Sequence, residues 1–262
     1  MDDDQGSISV EERGPILLIG IDRPAKLNGF TPPMMDELVD AFTRLDEDPD
    51  LWVGVVFAHG EHFTAGLDLP KWTERMRGGE RREADSSRVD PTGLGRACRK
   101  PVVYAVKGIT FTLGIELMLA GDIAVAADDC RFSQLEPMRG IHATGGATIR
   151  FVERGGWGNA MYHLLTSDEF DAAEAYRIGL VQEVVPAGTE LDRALELAAV
   201  ICEGAPLAVQ ATKASSRRYL DEGHAAAVAA FGANQAELMA SEDAAEGVAS
   251  FVERRKARFT GH

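Results

Sequence analysis

The segment "TLGIELMLAGDIAVAA" (112–127) combines two apolar runs of different character. In a helix over the first run, Glu116 would be surrounded by leucine, isoleucine, methionine and alanine on almost every side. The second run, "DIAVAA" (122–127), is typical of a buried strand. The segment therefore predicts a buried helix followed by a buried strand. Because an unpaired buried carboxylate is costly, Glu116 requires an explanation.

Further strands and a helix are predicted on the N-terminal side of this segment. The runs at 16–22, 52–58 and 101–108 are β-rich, and 32–48 has apolar residues at three- and four-residue steps. Thr31 is the expected N-cap of that helix, with Pro32 at its first position. Strands separated by helices favour an α/β layered fold.

The C-terminal half is predicted to be mainly helical. Residues 171–186 predict a short helix, a stop at Gly179 and a strand, and four helical segments follow from residue 190. Ser241 is the expected N-cap of the last helix. We divide the chain into an α/β core (1–204) and a helical region (205–262) that covers the core or another subunit. By contrast, the charged residues 73–92 are expected to form a mobile surface segment with solvated arginines.

Composition and charge exclude several classes of protein. The 262 residues contain no run near the roughly 18 apolar residues of a membrane span. The acidic N-terminus lacks the pattern of a secretory signal, and Cys98, Cys130 and Cys202 show no metal-ligand spacing, which favours a reducing cytoplasm. The net charge of −15 argues against binding to nucleic acids or anionic membranes. An anionic ligand would therefore need local basic groups or helix N-termini.

Three segments remain as candidates for chemistry, since phosphate-loop, nucleophile-elbow, HExxH and GxGxxG motifs are absent. "HFTAGLDL" (62–69) has small residues that allow close backbone approach, and Thr112 can cap a helix beginning at Leu113. Backbone N–H groups from these two loops could form an oxyanion hole. "FSQLEPMRG" (132–140) adds Glu136. Taken singly, each has a structural explanation: a turn, a carboxylate near a helix N-terminus, or an exposed loop acid.

Together these motifs resemble the crotonase (enoyl-CoA hydratase/isomerase) family. The similarity extends from "IDRPAKLNGF" through "HFTAGLDL", "KPVVYAVKG" and "GIELMLAGDIAVAADDCRFSQLEPMRGI" to "SEDAAEGVASFVERRKARF". The resemblance implies a spiral of ββα units followed by a helical tail, assembled as homotrimers or dimers of trimers. It also implies a role in acyl-CoA (fatty acid) metabolism, with no metal or cofactor beyond the CoA of the substrate.

The resemblance also implies roles for individual residues. The oxyanion donors fall on the backbone of Leu67 and Leu113, Glu116 activates water at C3 of a 2-enoyl thioester, and Glu136 delivers the proton to C2. Local cations for CoA are expected at Lys26 and in "RRKAR" (254–258). Further substrate or CoA contacts are expected at Leu27, Ala65, Gly66, Asp68, Leu69 and Gly114.

Two departures from the family pattern leave three hypotheses open. Leu113 stands where hydratases usually have glycine, and the loop 140–148 contains His142-Ala143-Thr144 in place of Ile-Pro-Gly. The leading hypothesis is an enoyl-CoA hydratase. The second is a Δ3,Δ2-enoyl-CoA isomerase or an enzyme of another crotonase-family reaction through the same enolate, which would depend on Glu136 alone and add no water. A non-catalytic acyl-CoA binder would bind CoA esters without turnover.

Overall fold

A computed structural model of the chain describes residues 4–77 and 86–262, and for 74–77 it describes the backbone only. A six-stranded sheet has the order β1-β2-β3-β4-β6-β9, and a three-stranded sheet has the order β5-β7-β8. All neighbours in the larger sheet are parallel except β1 and β2. The strands are β1 (Ser7–Arg13), β2 (Ile16–Asp22), β3 (Val53–Ala58), β4 (Val102–Val106), β5 (Ile109–Phe111), β6 (Ile123–Ala127), β7 (Arg131–Ser133), β8 (Phe170–Asp171) and β9 (Glu183–Val185).

Helices cover both faces of the larger sheet. The predicted helix begins at Pro32 and ends at Glu47, and the Thr31 hydroxyl accepts a hydrogen bond from the Met34 N–H, which confirms the predicted cap. Ser241 likewise caps the last helix through the Ala244 N–H. The helices are α1 (Pro32–Glu47), α2 (Leu69–Arg77), α3 (Leu113–Ala120), α4 (Ala147–Thr166, bent at Gly156), α5 (Ala172–Arg177), α6 (Glu190–Ile201), α7 (Pro206–Glu222), α8 (His224–Met239) and α9 (Glu242–Glu253).

Alternating side chains of the parallel strands form two separate cores. In β2, Leu17, Ile19 and Ile21 belong to the main core, which also contains the buried face of α1 and nearly all of α3. Ile16 and Leu18 point to the other face, where they join a smaller core with α6. A helix that is apolar on every side is stable only when it is enclosed. The enclosed position of α3 therefore places Glu116 deep in the protein.

Two parts of the sheets are not predicted by the sequence patterns. The edge strand β1 is mostly polar and exposed, so it lacks a clear apolar alternation. The strands β5, β7 and β8 have three residues or fewer, which is too short for a periodic signal. Their positions are set by pairing with distant parts of the chain.

The expectation of an unstructured surface segment at 73–92 is wrong at both ends. The helix α2 continues to Arg77, and Val89 is fully buried against the main core. Arg88 forms an ion pair with Asp40 on α1 rather than remaining solvated. Residues 78–85 lie outside the described residues.

The helical region 205–262 contacts the core through few polar groups. Lys213 on α7 donates hydrogen bonds to Asp122 Oδ2 at 2.7 Å and to the Lys100 carbonyl at 2.9 Å. Within the described residues, no single helix is long and apolar enough to cross a bilayer. The pair α6 and α7, bent by 104°, has sufficient length and apolar composition only when the two helices are taken together. Contact of this region with another subunit stays a prediction, and apolar side chains are exposed on it at Leu220, Val228, Phe231, Val248, Phe251 and Val252.

Candidate active site

Three parallel segments bring the predicted site residues to one edge of the small sheet. Thr64 pairs with Thr110 in β5, and Thr110 pairs with Phe132 in β7. Because parallel strands have their carboxyl ends at the same edge, the residues that follow these segments meet there. The following residues are Leu67, Leu113 and Glu136. The small sheet thus explains why three loops that are far apart in sequence form one site.

The first two loops touch each other through a glycine. Gly66 has φ +98°, and a Cβ added there would overlap the Thr112 hydroxyl. Thr112 itself has φ 49° and ψ −112°, a strained conformation for a β-branched residue. Thr112 occupies the predicted N-cap position and the helix begins at Leu113, but the expected cap hydrogen bond from its side chain is absent among the described residues. The hydroxyl instead occupies the space beside Gly66.

Two backbone N–H groups at this junction remain available. Neither the Leu67 N–H nor the Leu113 N–H donates a hydrogen bond to any described residue. Leu113 is the first residue of α3, where the N–H has no partner within the helix and the helix dipole favours negative charge. Residues 67 and 113 each follow the paired threonines 64 and 110 by three positions, so the two donors lie on neighbouring chain segments. This arrangement is suited to hold an oxyanion.

Glu116 is buried but has backbone partners. Its side chain is enclosed, with 5% of the residue surface exposed, and Oε1 accepts hydrogen bonds from the Gly145 N–H at 2.6 Å and the Ala147 N–H at 3.3 Å. Burial raises the pKa of Glu116, while these backbone donors and the positive charge of Arg150 oppose the rise. The loop before α4 therefore orients the carboxylate and partly compensates its burial.

Glu136 lies at the start of a 3-10 turn (Pro137–Arg139) and is also buried. Burial and the nearby negative charge of Glu116 raise its pKa to about 7. Gln134, buried two residues earlier, was not predicted as a site residue. With its amide oriented to donate, its side-chain nitrogen lies 2.8 and 3.1 Å from the two Glu136 oxygens. The position of this glutamine, two residues before Glu136 in the sequence, is the signal that could have identified Gln134.

Glu116, Glu136 and the two leucines with available N–H groups, Leu67 and Leu113, line one pocket of about 170 Å³. We call this the reaction pocket. A larger cleft of about 580 Å³ lies between the core and the α7–α8 pair and includes none of the predicted catalytic residues. The walls of the reaction pocket are Ala65, Leu67, Leu69, Thr112, Leu113, Glu116, Leu135, Glu136, Arg139, Ile141, His142, Ala143 and Thr144.

The predicted CoA contacts lie near the pocket to different degrees. The exposed Leu27 directly follows a 3-10 turn (Pro24–Lys26). The Leu27 carbonyl accepts a hydrogen bond from the Ala65 N–H. Asp68 is ion-paired with Arg23 at 2.9 Å, and Gly114 packs closely against Thr64. These two support the walls, and their contact with a ligand stays a prediction.

Two of the four basic side chains in the predicted segment 254–258 form ion pairs with acidic side chains. Arg255 pairs with Glu246, and Lys256 pairs with Glu203. A role in binding CoA therefore also stays a prediction. For metals, the described part of the chain contains no cluster of three or more His, Cys, Asp or Glu side chains that could hold an ion.

Comparison with known proteins agrees with this geometry. The sequence model of the Enoyl-CoA hydratase/isomerase family matches residues 11–262. The chain is 35% identical to enoyl-CoA hydratase EchA19 of Mycobacterium tuberculosis, over 95% of each chain, and 34% identical to carnitinyl-CoA dehydratase of Proteus mirabilis, over 97% of this chain and 98% of the relative.

Solved structures give the same result. The crystal structure of a probable enoyl-CoA hydratase/isomerase from Mycobacterium abscessus superposes with a TM-score of 0.94 at 44% identity, covering 98% of this chain and 99% of that one. An enoyl-CoA hydratase from Mycobacterium tuberculosis H37Rv superposes with a TM-score of 0.89 at 35% identity, covering 98% and 99%. The predicted crotonase-like fold is thereby confirmed. The chain belongs to the enoyl-CoA hydratase/isomerase, or crotonase, family.

Proposed function

We propose that this protein is an enoyl-CoA hydratase that adds water across the double bond of a 2-enoyl-CoA thioester. The observation that carries the proposal is one pocket with two buried glutamates and two backbone N–H groups that bind no residue in the described part of the chain. Hydration needs a base, an acid and donors for a thioester oxygen, and the pocket supplies all of them. The relatives named above act as hydratases or dehydratases of CoA thioesters, according to their names.

The backbone donors stabilise the intermediate. In this proposal the thioester oxygen lies between the Leu67 and Leu113 N–H groups, which hold the negative charge that develops when water attacks C3. A preorganised donor of this kind contributes about 10²–10³-fold to the rate. Because the donors are part of the backbone, they need not reorganise during the reaction.

The two glutamates are assigned opposite roles by their surroundings. Burial raises the pKa of Glu116, but two backbone N–H groups and Arg150 oppose that rise by stabilising its ionised form, and we assign it as the base that takes a proton from the attacking water. Burial and the charge of Glu116 favour the protonated form of Glu136, which gives its proton to C2. Environments that separate the proton affinities of two carboxyls mark a base and an acid. Each turnover leaves Glu116 protonated and Glu136 ionised, and proton exchange with solvent restores the starting state.

The pH dependence of hydration is expected to follow Glu136. Its pKa of about 7 lies above the ordinary glutamic acid value, so the proton donor is present below pH 7 and is lost as the pH rises through 7. We therefore expect kcat/KM for hydration to fall about tenfold for each pH unit above this value. Measurement of kcat/KM between pH 5.5 and 9 tests this. A profile that rises through neutral pH would contradict the assignment of Glu136 as the acid.

The activity itself can be tested with a spectrophotometric panel. Crotonyl-CoA and longer 2-enoyl-CoAs lose the absorbance of the conjugated thioester when water is added. We expect turnover of at least one of them, together with the 3-hydroxyacyl-CoA product identified by mass spectrometry. Isomerisation of a 3-enoyl-CoA with no water addition to any 2-enoyl-CoA would contradict the hydratase proposal, as would binding of CoA esters with no turnover.

A further inference from the structure

Arg139 is a cation on the wall of the reaction pocket that has no acidic partner among the residues that the structure describes. Its guanidinium forms no ion pair with any residue that the structure describes, and its Nη1 donates only a long hydrogen bond, 3.4 Å, to the Met138 carbonyl. Arg131 and Arg193, by contrast, each pair with a glutamate. The positive charge of Arg139 is therefore available to a ligand.

The catalytic carboxyls do not use this charge. Arg139 follows Glu136 by three residues, and an ion pair between them would hold the pKa of the carboxyl low. The pKa of Glu136 is instead raised, by burial and by Glu116. Arg139 thus forms no ion pair with Glu136, although both residues line the same pocket. A role in the proton transfers therefore does not explain the presence of the Arg139 side chain in the pocket.

Arg139 lies in the loop that joins the two glutamate sites. Residues 137–144, which we call the pocket loop, connect Glu136 to Gly145, whose N–H binds Glu116. Arg139 and Ile141 of this loop both line the reaction pocket. In the proposed function, C2 and C3 of the substrate lie between the two glutamates, and acyl atoms beyond C3 extend towards the pocket loop.

We propose that Arg139 selects 2-enoyl-CoA substrates whose acyl chain ends in a carboxylate, that is, CoA monothioesters of short unsaturated dicarboxylic acids. This proposal rests on the proposed hydratase function. The planar guanidinium matches a carboxylate with two parallel hydrogen bonds. The pocket, at about 170 Å³, is smaller than the usual range of roughly 300–1,000 Å³ for ligand sites, which limits the acyl group to a short chain.

The test compares two substrates of equal chain length. One is hex-2-enoyl-CoA, and the other is the six-carbon 2-enoyl-CoA with a terminal carboxylate. We expect the wild-type protein to have a higher kcat/KM for the carboxylate substrate. Arg139→Gln should lower that value about 10- to 100-fold, the usual range for loss of a charge-assisted hydrogen bond, and change the value for the neutral substrate less than about threefold. Arg139→Lys should retain part of the preference, because the charge remains but the bidentate geometry does not.

Controls separate this proposal from its alternatives. Arg193→Gln removes a half-buried, ion-paired arginine on α6, which is not among the residues that line the reaction pocket, and should leave both values unchanged. An equal rise of KM for both substrates in Arg139→Gln would show that Arg139 serves the CoA phosphates and would overturn the proposal. No change with either substrate would overturn it as well. Turnover of hex-2-enoyl-CoA without a carboxylate preference would leave the hydratase function standing, whereas no turnover of any enoyl-CoA would overturn both.

Discussion

Replacing Glu136 with glutamine is expected to lower kcat for hydration of crotonyl-CoA about 10²–10⁴-fold, the usual contribution of a positioned acid. Glutamine keeps the size of the side chain and resembles the protonated carboxyl in charge, but it has no proton to give to C2. The change should therefore act on kcat far more than on KM. Steady-state kinetics at pH 6.5 measures it, since the wild-type donor is largely protonated there.

Loss of folding is not expected to explain this result. The pKa of Glu136 in the folded protein, about 7, lies above the value of about 4.3 for an unfolded chain. The unfolded state therefore releases this proton first, and the carboxyl lowers the free energy of unfolding as the pH rises from about 4.3 through 7. At pH 8 the glutamine variant should be at least as stable as the wild-type protein in urea denaturation. Glu196→Gln, an exposed change on α6, is the matched control, and turnover of Glu136→Gln within twofold of wild type would contradict the assigned role.

Replacing Leu113 with proline is expected to lower kcat about 10²–10³-fold, because it removes one of the two proposed oxyanion donors. Position 113 is the first residue of α3, where proline is well tolerated since the N–H has no partner in the helix. The substitution removes the donor, but Thr112 (φ 49°, ψ −112°) lies outside the extended region that a residue before proline prefers, so the folding of the variant has to be measured together with its activity. Single-turnover kinetics with crotonyl-CoA would measure the loss at the chemical step.

The matched variant is Leu113→Ala, which shortens the same side chain and keeps the N–H. We expect it to retain most of the rate with short substrates and to accept bulkier acyl groups, because Leu113 lines the reaction pocket. Thermal unfolding of both variants shows whether the fold is intact. Equal activity of the proline and alanine variants would contradict an oxyanion role for this backbone group.

The long elements of the fold are predictable because their signals are local. The strands at 16–22 and 53–58 and the helix from Pro32 come from apolar runs and periodicities that are visible in the sequence. The small sheet is not predictable in this way, since three-residue strands such as β5 and β7 are defined only by their partners. Because the sequence patterns do not predict the small sheet, they do not explain why the three site loops meet.

The sequence identifies the residues of the candidate site, but it does not predict the hydrogen bonds and contacts between them. Glu116 and Glu136 are identified by a carboxylate in an apolar segment and by resemblance to a family. The hydrogen bonds that orient Glu116 come from residues 145 and 147, about 30 positions later, and no spacing rule connects them. The absence of the expected Thr112 cap hydrogen bond among the described residues has a similar origin, because contact with Gly66 on another loop determines the conformation of Thr112.

The location of both proposed oxyanion donors in the backbone has a consequence for how such proteins diversify. Point mutations at 67 and 113, other than to proline, replace side chains that shape the pocket and leave the N–H groups in place. Substrate range can thus drift by single amino-acid changes while the step that activates the thioester is inherited unchanged. A scaffold of this kind tolerates trial substitutions at the two positions nearest the reacting carbonyl, which makes them good first targets for laboratory evolution.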